Sequence, residues 1–264
     1  MNTSFSNRIK TIFLALTLII STISFAEDKP RIALIIDDFG LHPPESDLMM
    51  QFAYLDCPFA AAIIPGLAYS TQLAELFHQA GKEVIIHLPM ESALPETVTE
   101  PLTLTVSMTT EEMRAIVFKA IYDIPFASGI SNHQGSLFTG DKKAMNRLVK
   151  ILDDTTLYFF DSLTAPGGTA YKTCRSNGIP SGKRDVFLDT DYTPGDSFDQ
   201  RLKQFLNLAR QRGYAIAVAH RYPETLASLQ AFLGSDEAVE FEFVYPSELI
   251  DFKVFKKGKD KRED

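Results

Sequence analysis

The sequence predicts an α/β fold built on a mostly parallel sheet of about seven or eight strands, either open or closed into a barrel. Short, continuously apolar runs recur along the chain, the pattern of strands buried on both faces, and segments of helical period fill the gaps between them. A third observation locates the chemistry. Run after run ends in an acid or a histidine, and if the strands are parallel those side chains gather at one end of one sheet.

The first run, residues 32–36, leads straight into Asp37, Asp38, Phe39 and Gly40, so two carboxylates reach the sheet rim where the chain turns. A run over 60–64 follows, then a helix over 70–80 with Leu73, Leu76, Phe77 and Ala80 on one face and Gly81 as its C-cap. The run 84–86 ends in His87. Thr109 with Glu112 has capping-box spacing and opens a helix over 113–122. The run 129–131 passes through Asn132 to His133, and 142–152 is again helical. The run 157–160 ends in Asp161 and 186–188 in Asp189. A helix over 198–212 stops before Gly213, the run 215–219 ends in His220, and a helix over 224–233 precedes a last run at 241–245. Two stretches lack a period. Residues 89–108, with Pro95 and Pro101, are long enough to form a wall of a substrate groove, and 164–182 is rich in Gly and Ser.

The first 26 residues read as an export signal: Arg8 and Lys10 precede an apolar stretch over 11–23, and Ser24-Phe25-Ala26 supplies small residues at a cleavage point. That stretch is short against the roughly 20 residues of a membrane span. The expected organisation is therefore a signal peptide (1–26), a single catalytic domain (27–255) and a charged tail (256–264), in a periplasmic or otherwise exported protein without stable membrane insertion after cleavage. The formal net charge is −8, and the leader carries two basic residues and no acid, so the remainder is more acidic still. No basic patch suits nucleic acid. Cys57 and Cys174 are the only cysteines, and they are expected as buried free thiols rather than a bridge.

One carboxylate and two imidazoles aimed at a common point form a site for Zn²⁺ or another first-row divalent ion. Asp38, His87 and His133 are that candidate set. Asp37 beside it is the candidate general base, and His220, on a different strand, the candidate acid for the leaving group. Each has a plainer alternative. The Asp-Asp-x-Gly corner can be a turn in which carboxylates bond backbone amides, His87 can be a satisfied half-buried histidine, and His133 can serve a polar loop. Asp161 and Asp189 can be helix caps or partners that orient an imidazole. His42 and His78 are expected at the surface. The joint occurrence at several inferred strand ends is what favours a site. Asp-Phe-Gly at 38–40 is not the kinase triplet, because no Gly-rich phosphate loop precedes it. A Gly-x-Ser-x-Gly elbow is also absent.

In order, Ile35-Ile-Asp-Asp-Phe-Gly40, Ile86-His-Leu-Pro-Met-Glu91, Gly129-Ile-Ser-Asn-His-Gln-Gly-Ser136, Phe159-Phe-Asp-Ser162, Arg184-Asp-Val-Phe-Leu-Asp189 and Ala217-Val-Ala-His220 resemble the motifs of the divergent polysaccharide deacetylase family. The resemblance spans about residues 31–250. It implies a distorted (β/α) barrel of the polysaccharide deacetylase type, related to carbohydrate esterase family 4, whose members remove N- or O-acetyl groups from polysaccharides with a divalent metal. It assigns the base to Asp37, a metal ligand to Asp38 and the acid to His220. Ordinary members carry a second histidine four residues after the first, where this chain has Glu91. The ligand is then expected from His133, with Glu91 as the weaker substitute. Arg184 and Asp185 stand in for an Arg-containing motif, and Asn132, Asp161 and Asp189 are further candidates for surrounding or substrate contacts.

The function implied is a metal-dependent hydrolase, most simply with zinc, that removes acetyl groups from an envelope polysaccharide or its fragments. The rival is a catalytically inactive glycan- or protein-binding envelope factor on the same barrel. A metal-free glycoside hydrolase using two carboxylates ranks last, because it leaves the histidines without a role.

Overall fold

The computed structural model describes residues 28–250 apart from Pro95, Val98, Pro166 and residues 190–196; the expected leader and charged tail lie outside the described residues. Strands and helices alternate as the periodicity requires. The order is β1 (Arg31–Phe39), α1 (Asp47–Ala53), β2 (Ala60–Ile63), α2 (Ser70–Gln79), β3 (Glu83–Met90), α3 (Thr110–Asp123), β4 (Gly129–Gln134) and α4 (Lys142–Leu152). It continues with β5 (Tyr158–Asp161), α5 (Ala170–Ser176), β6 (Ser181–Lys183), β7 (Val186–Phe187), α6 (Phe198–Arg212), β8 (Tyr214–His220), α7 (Pro223–Leu233), β9 (Glu242–Val244) and α8 (Pro246–Leu249).

Eight strands lie side by side as β6-β5-β4-β3-β2-β1-β8-β7, and every pairing is parallel. The ninth, β9, pairs with the first residues of β1, Arg31 to Ala33, below the point where Ile35 meets Ala60 of β2. The two edge strands, β6 and β7, are joined only by Arg184 and Asp185. Three Cα steps span at most about 11 Å, so the sheet has to curl until its edges approach. Arg184 N donates to Asp161 O of β5 and Asp185 N to Ile216 O of β8, stitching the seam from both sides. The result is the distorted (β/α) barrel, curled and incompletely closed.

Alternation along β1 separates two cores. Ala33 and Ile35 point into the barrel with Ala60, Ala62, Ile85, Tyr158, Phe160 and Val218, whereas Ile32, Leu34 and Ile36 pack outward under the helices. Small residues are needed inside because two aromatic rings already fill the space. A Cβ on Gly129 would lie 2.5 Å from the Tyr158 ring. At the lower end Glu83 accepts hydrogen bonds from Ser128 Oγ, from Tyr158 Oη (2.9 Å) and from Ser247 N and Oγ, which fixes α8 beneath the barrel.

Helix ends follow the expected chemistry. Thr109 and Glu112 form a complete capping box, Ser197 and Gln200 form another, and Gly213 closes α6 with φ 81°. The strands that carry chemistry run further than their apolar runs. β1 continues to Phe39, β3 to Met90 and β4 to Gln134, because the ladder continues through the polar residues, with His87 opposite Ser131 and Pro89 opposite His133, and Phe39, Leu88 and Met90 are still in the core. The stretch 164–182, expected to be irregular, contains α5 and the start of β6. Cys57 and Cys174 are free and buried, and burial pushes the Cys57 thiol up to about 12. Among the described residues no helix is long and apolar enough to cross a membrane.

Candidate metal centre

On a regular strand Asp37 and Asp38 would face opposite sides. Between Ile36, opposite Ala61, and Phe39, opposite Ile63, β1 carries one residue more than β2, and Asp38 adopts φ 70°. This is a β-bulge with a left-handed residue, a conformation aspartate tolerates better than most. It turns both carboxylates toward one opening: His87 Nε2 lies 3.6 Å from Asp37 Oδ2 and 3.3 Å from Asp38 Oδ1. Gly40 follows because a Cβ there would sit 2.9 Å from Leu67 and 3.1 Å from Ile64 O.

His87, on β3, is buried, and its Nδ1 shares a hydrogen bond with Ser131 Oγ (2.7 Å), so Nε2 faces the carboxylates. His133, one strand over on β4, brings Nδ1 to 3.0 Å from Asp38 Oδ1. One ligand atom from each of Asp38, His87 and His133 lies within 4.8 Å of the others. A tetrahedral cation with bonds near 2.1 Å spaces its ligands by about 3.4 Å, close to the 3.0 and 3.3 Å found here. Asp37 Oδ1 is buried without a hydrogen-bond partner among the described residues, and Asp38 Oδ1 meets only the two imidazole nitrogens. Buried carboxylate oxygens in that state are costly unless a positive charge meets them, so the donor set fits a divalent cation.

The electrostatics point the same way. Burial raises the Asp37 pKa above the ordinary carboxylate value, with His87 opposing. Burial would also raise Asp38, but hydrogen bonding to His133 and His87 holds it well below the usual range. For His87 burial favours the neutral ring, and the charges of Asp37 and Asp38 overcome this and raise its pKa.

His220 ends β8 directly opposite Asp37. Its Nδ1 bonds Asp189 Oδ1 (2.8 Å), while Asp189 Oδ2 accepts from the His220 backbone N and from Thr225 Oγ1 (2.6 Å). Phe187 and Tyr222 stack on the ring at centroid distances of 5.7 Å. Burial disfavours the charged ring, but the Asp189 hydrogen bond and the Asp37 charge raise its pKa to about 9. Asp37, Asp38, His87, His133 and His220 all line one small cavity of about 160 Å³. It shares Gln134, Thr164 and Phe187 with a neighbouring cavity of about 710 Å³, to which the loop after β3 contributes Ser92, Leu94 and Thr97.

The other sequence candidates are distributed differently. Asn132 borders the small cavity and spans the strand ends, accepting from Ser162 N (2.9 Å) and donating to Gln134 O and Thr164 Oγ1. Arg184 lines the larger cavity, with its guanidinium 3.8 Å from the Phe187 ring centroid and Nε bonded to Ser162 O. Asp161 accepts from Leu163 N and Tyr171 N, the capping alternative. Asp185 accepts from Arg212 and Ile216 N at the seam. Glu91 does not join the ligand cluster: its carboxylate accepts from Val106 N (2.7 Å) and braces the long loop. His42 and His78 are exposed. Sequence reasoning missed Ser131, which only the β3–β4 register sets opposite His87, and Arg221, whose Nε donates to Asp38 O.

Comparison with known proteins then decides the family. The sequence profile of the divergent polysaccharide deacetylases matches residues 34–250. The chain belongs to that family. It is 33% identical over 200 residues to the uncharacterized protein YibQ of Escherichia coli, a match covering 76% of this chain and 61% of YibQ. An uncharacterized protein of Haemophilus influenzae is 31% identical over 233 residues, covering 88% of this chain and 81% of that one. The crystal structure of an uncharacterized Agrobacterium tumefaciens protein superposes with a TM-score of 0.73 at 21% identity, covering 85% of this chain and 90% of the other, and shares the fold.

Proposed function

We propose that the protein is a metal-dependent hydrolase that removes acetyl groups from an envelope polysaccharide or its fragments. The observation that carries this reading is the convergence of Asp38, His87 and His133 on one point, with Asp37 and His220 lining the same cavity. A divalent cation held by those three residues, Zn²⁺ first among candidates, supplies Lewis acidity toward a carbonyl oxygen and toward water. Asp37 is the base: its raised pKa suits it to accept a proton from the attacking water. As the new C–O bond forms and the C–N or C–O bond to the sugar breaks, His220 gives its Nε2 proton to the departing atom. Asp189 holds the opposite nitrogen and sustains the protonated ring. Acetate and the free amine or hydroxyl result. The larger cavity receives the remainder of the glycan, with Gln134, Ser136 and Arg184 as its polar contacts.

We place the catalytic domain at 27–255, after an export signal at 1–26 and before a charged tail at 256–264, in the periplasm. The acidic charge argues against a nucleic-acid partner. The test is metal analysis followed by acetate release from N-acetylated chitooligosaccharides and peptidoglycan fragments. Asp37→Asn is expected to keep its metal and lose at least about 100-fold in rate. Bound metal without acetate from any acetylated glycan would instead support a binding role.

A further inference from the structure

The two carboxylates face one opening only because the chain departs from strand geometry at Asp38. A non-glycine residue at φ 70° is uncommon and persists where its surroundings over-determine it. The bulge also takes the Asp38 carbonyl out of the regular β1–β2 register, which resumes at Phe39. That carbonyl is held instead from the end of the neighbouring strand β8: the guanidinium of Arg221 donates through Nε to Asp38 O. Arg221 is the first residue beyond β8, directly after His220, which is paired with Asp37. Its backbone direction is set by the turn in which Tyr222 N donates to His220 O (2.8 Å). A hydrogen bond from a charged donor is stronger and more directional than one between neutral partners, and it acts on the single peptide unit whose orientation decides where the Asp38 carboxylate points.

We propose that Arg221 is a positioning residue that locks the bulge and thereby presents Asp38 to the cation. The idea rests on the preceding section only in taking Asp38 as a ligand. The β8 turn thus carries two functions in consecutive residues: His220 faces the leaving group, and Arg221 aligns a ligand three strands away from His133. Outside the bulge Arg221 is half-buried at the mouth of the barrel, so its removal leaves the core untouched.

The experiment titrates metal-free protein with Zn²⁺ by calorimetry, records the visible spectrum of the Co²⁺ form and measures the melting temperature without metal, for wild type, R221K and R221M. Expected are metal-free melting temperatures like wild type and Zn²⁺ binding by R221M weakened about 10- to 100-fold, the range for partners that orient a ligand. An altered Co²⁺ spectrum in R221M should accompany that loss. R221K, which keeps a charged donor without the planar fork, should recover part of the affinity. Wild-type affinity and an unchanged Co²⁺ spectrum in R221M overturn the proposal. So does failure of both variants to fold, which would make Arg221 a general stability element. A rise confined to the glycan KM with metal affinity intact would make it a substrate contact and overturn the positioning role. A wild type that takes up no metal would refute the hydrolase reading itself, an outcome separate from any difference between wild type and variants.

Discussion

Asp189 is spent entirely on His220 and its turn, taking the ring Nδ1, the backbone N and the hydroxyl of Thr225. Such a carboxylate favours the charged imidazole, and it is a principal reason the His220 pKa is raised to about 9 against burial. The sign follows directly. An acid must be protonated to act, so in the proposed hydrolase a raised pKa would keep activity into alkaline solution, and activity should fall as pH rises through that value. In Asp189→Asn the favourable charge is gone, and the alkaline limb of the kcat profile should move down toward 6.5, the ordinary histidine value. A pH–rate series on both proteins measures it, and coincident alkaline limbs would remove His220 from the role of acid. The bare sequence named both residues, because each follows an apolar run. It could not say that Asp189 caps no helix and grips an imidazole instead, since that depends on β7 lying beside β8, a pairing made 31 residues apart in the chain.

The same distinction recurs at the scale of elements. Long periodic helices such as α4 and α6 were legible to the residue, because many apolar positions and a cap agree on one answer. Short elements were not: β6 has three residues and α5 seven, too few for a period, and tertiary contacts decide them. The bulge in β1 was likewise invisible, although both of its aspartates were named, because its cause is a register difference with β2 and not a local preference. Strand interiors carry the opposite lesson in Gly129, which opens β4 opposite Tyr158. The Tyr158 ring is fully buried and its hydroxyl is tied to Glu83, so it has no alternative position when a methyl group arrives 2.5 Å away. Gly129→Ala should therefore lower unfolding stability by about 3 kcal/mol, the upper part of the usual range for overpacking. Zn²⁺ affinity should stay close to wild type, because His133 lies at the other end of β4. Chemical denaturation checks the first expectation, and a stability loss below about 1 kcal/mol would mean that the barrel interior yields more readily than its packing indicates.

For the molecule as a whole, the proposed ligand set would do more than hold a reagent. Asp38, His87 and His133 come from β1, β3 and β4, so a cation bound to all three ties together strands spanning half the width of the curled sheet. No such arrangement survives unfolding, so a cation held there would bind the native state alone and stabilise it by mass action. At free metal about 100 times Kd that amounts to about 2.7 kcal/mol, which for a chain of this size raises the melting temperature by about 5–10 °C. Protons compete for the same atom. Asp37 and Asp38 raise the His87 pKa, and below that value its Nε2 carries hydrogen where the cation would bind. The stabilisation should therefore shrink as the solution is acidified through the raised His87 pKa. Scanning calorimetry with saturating Zn²⁺ and with chelator, at several pH values, tests both statements, with Asp38→Ala as the comparison. That variant should lose most of the shift at every pH. If it keeps the full shift, the stabilising ion is bound elsewhere, and the three strand ends do not form its site.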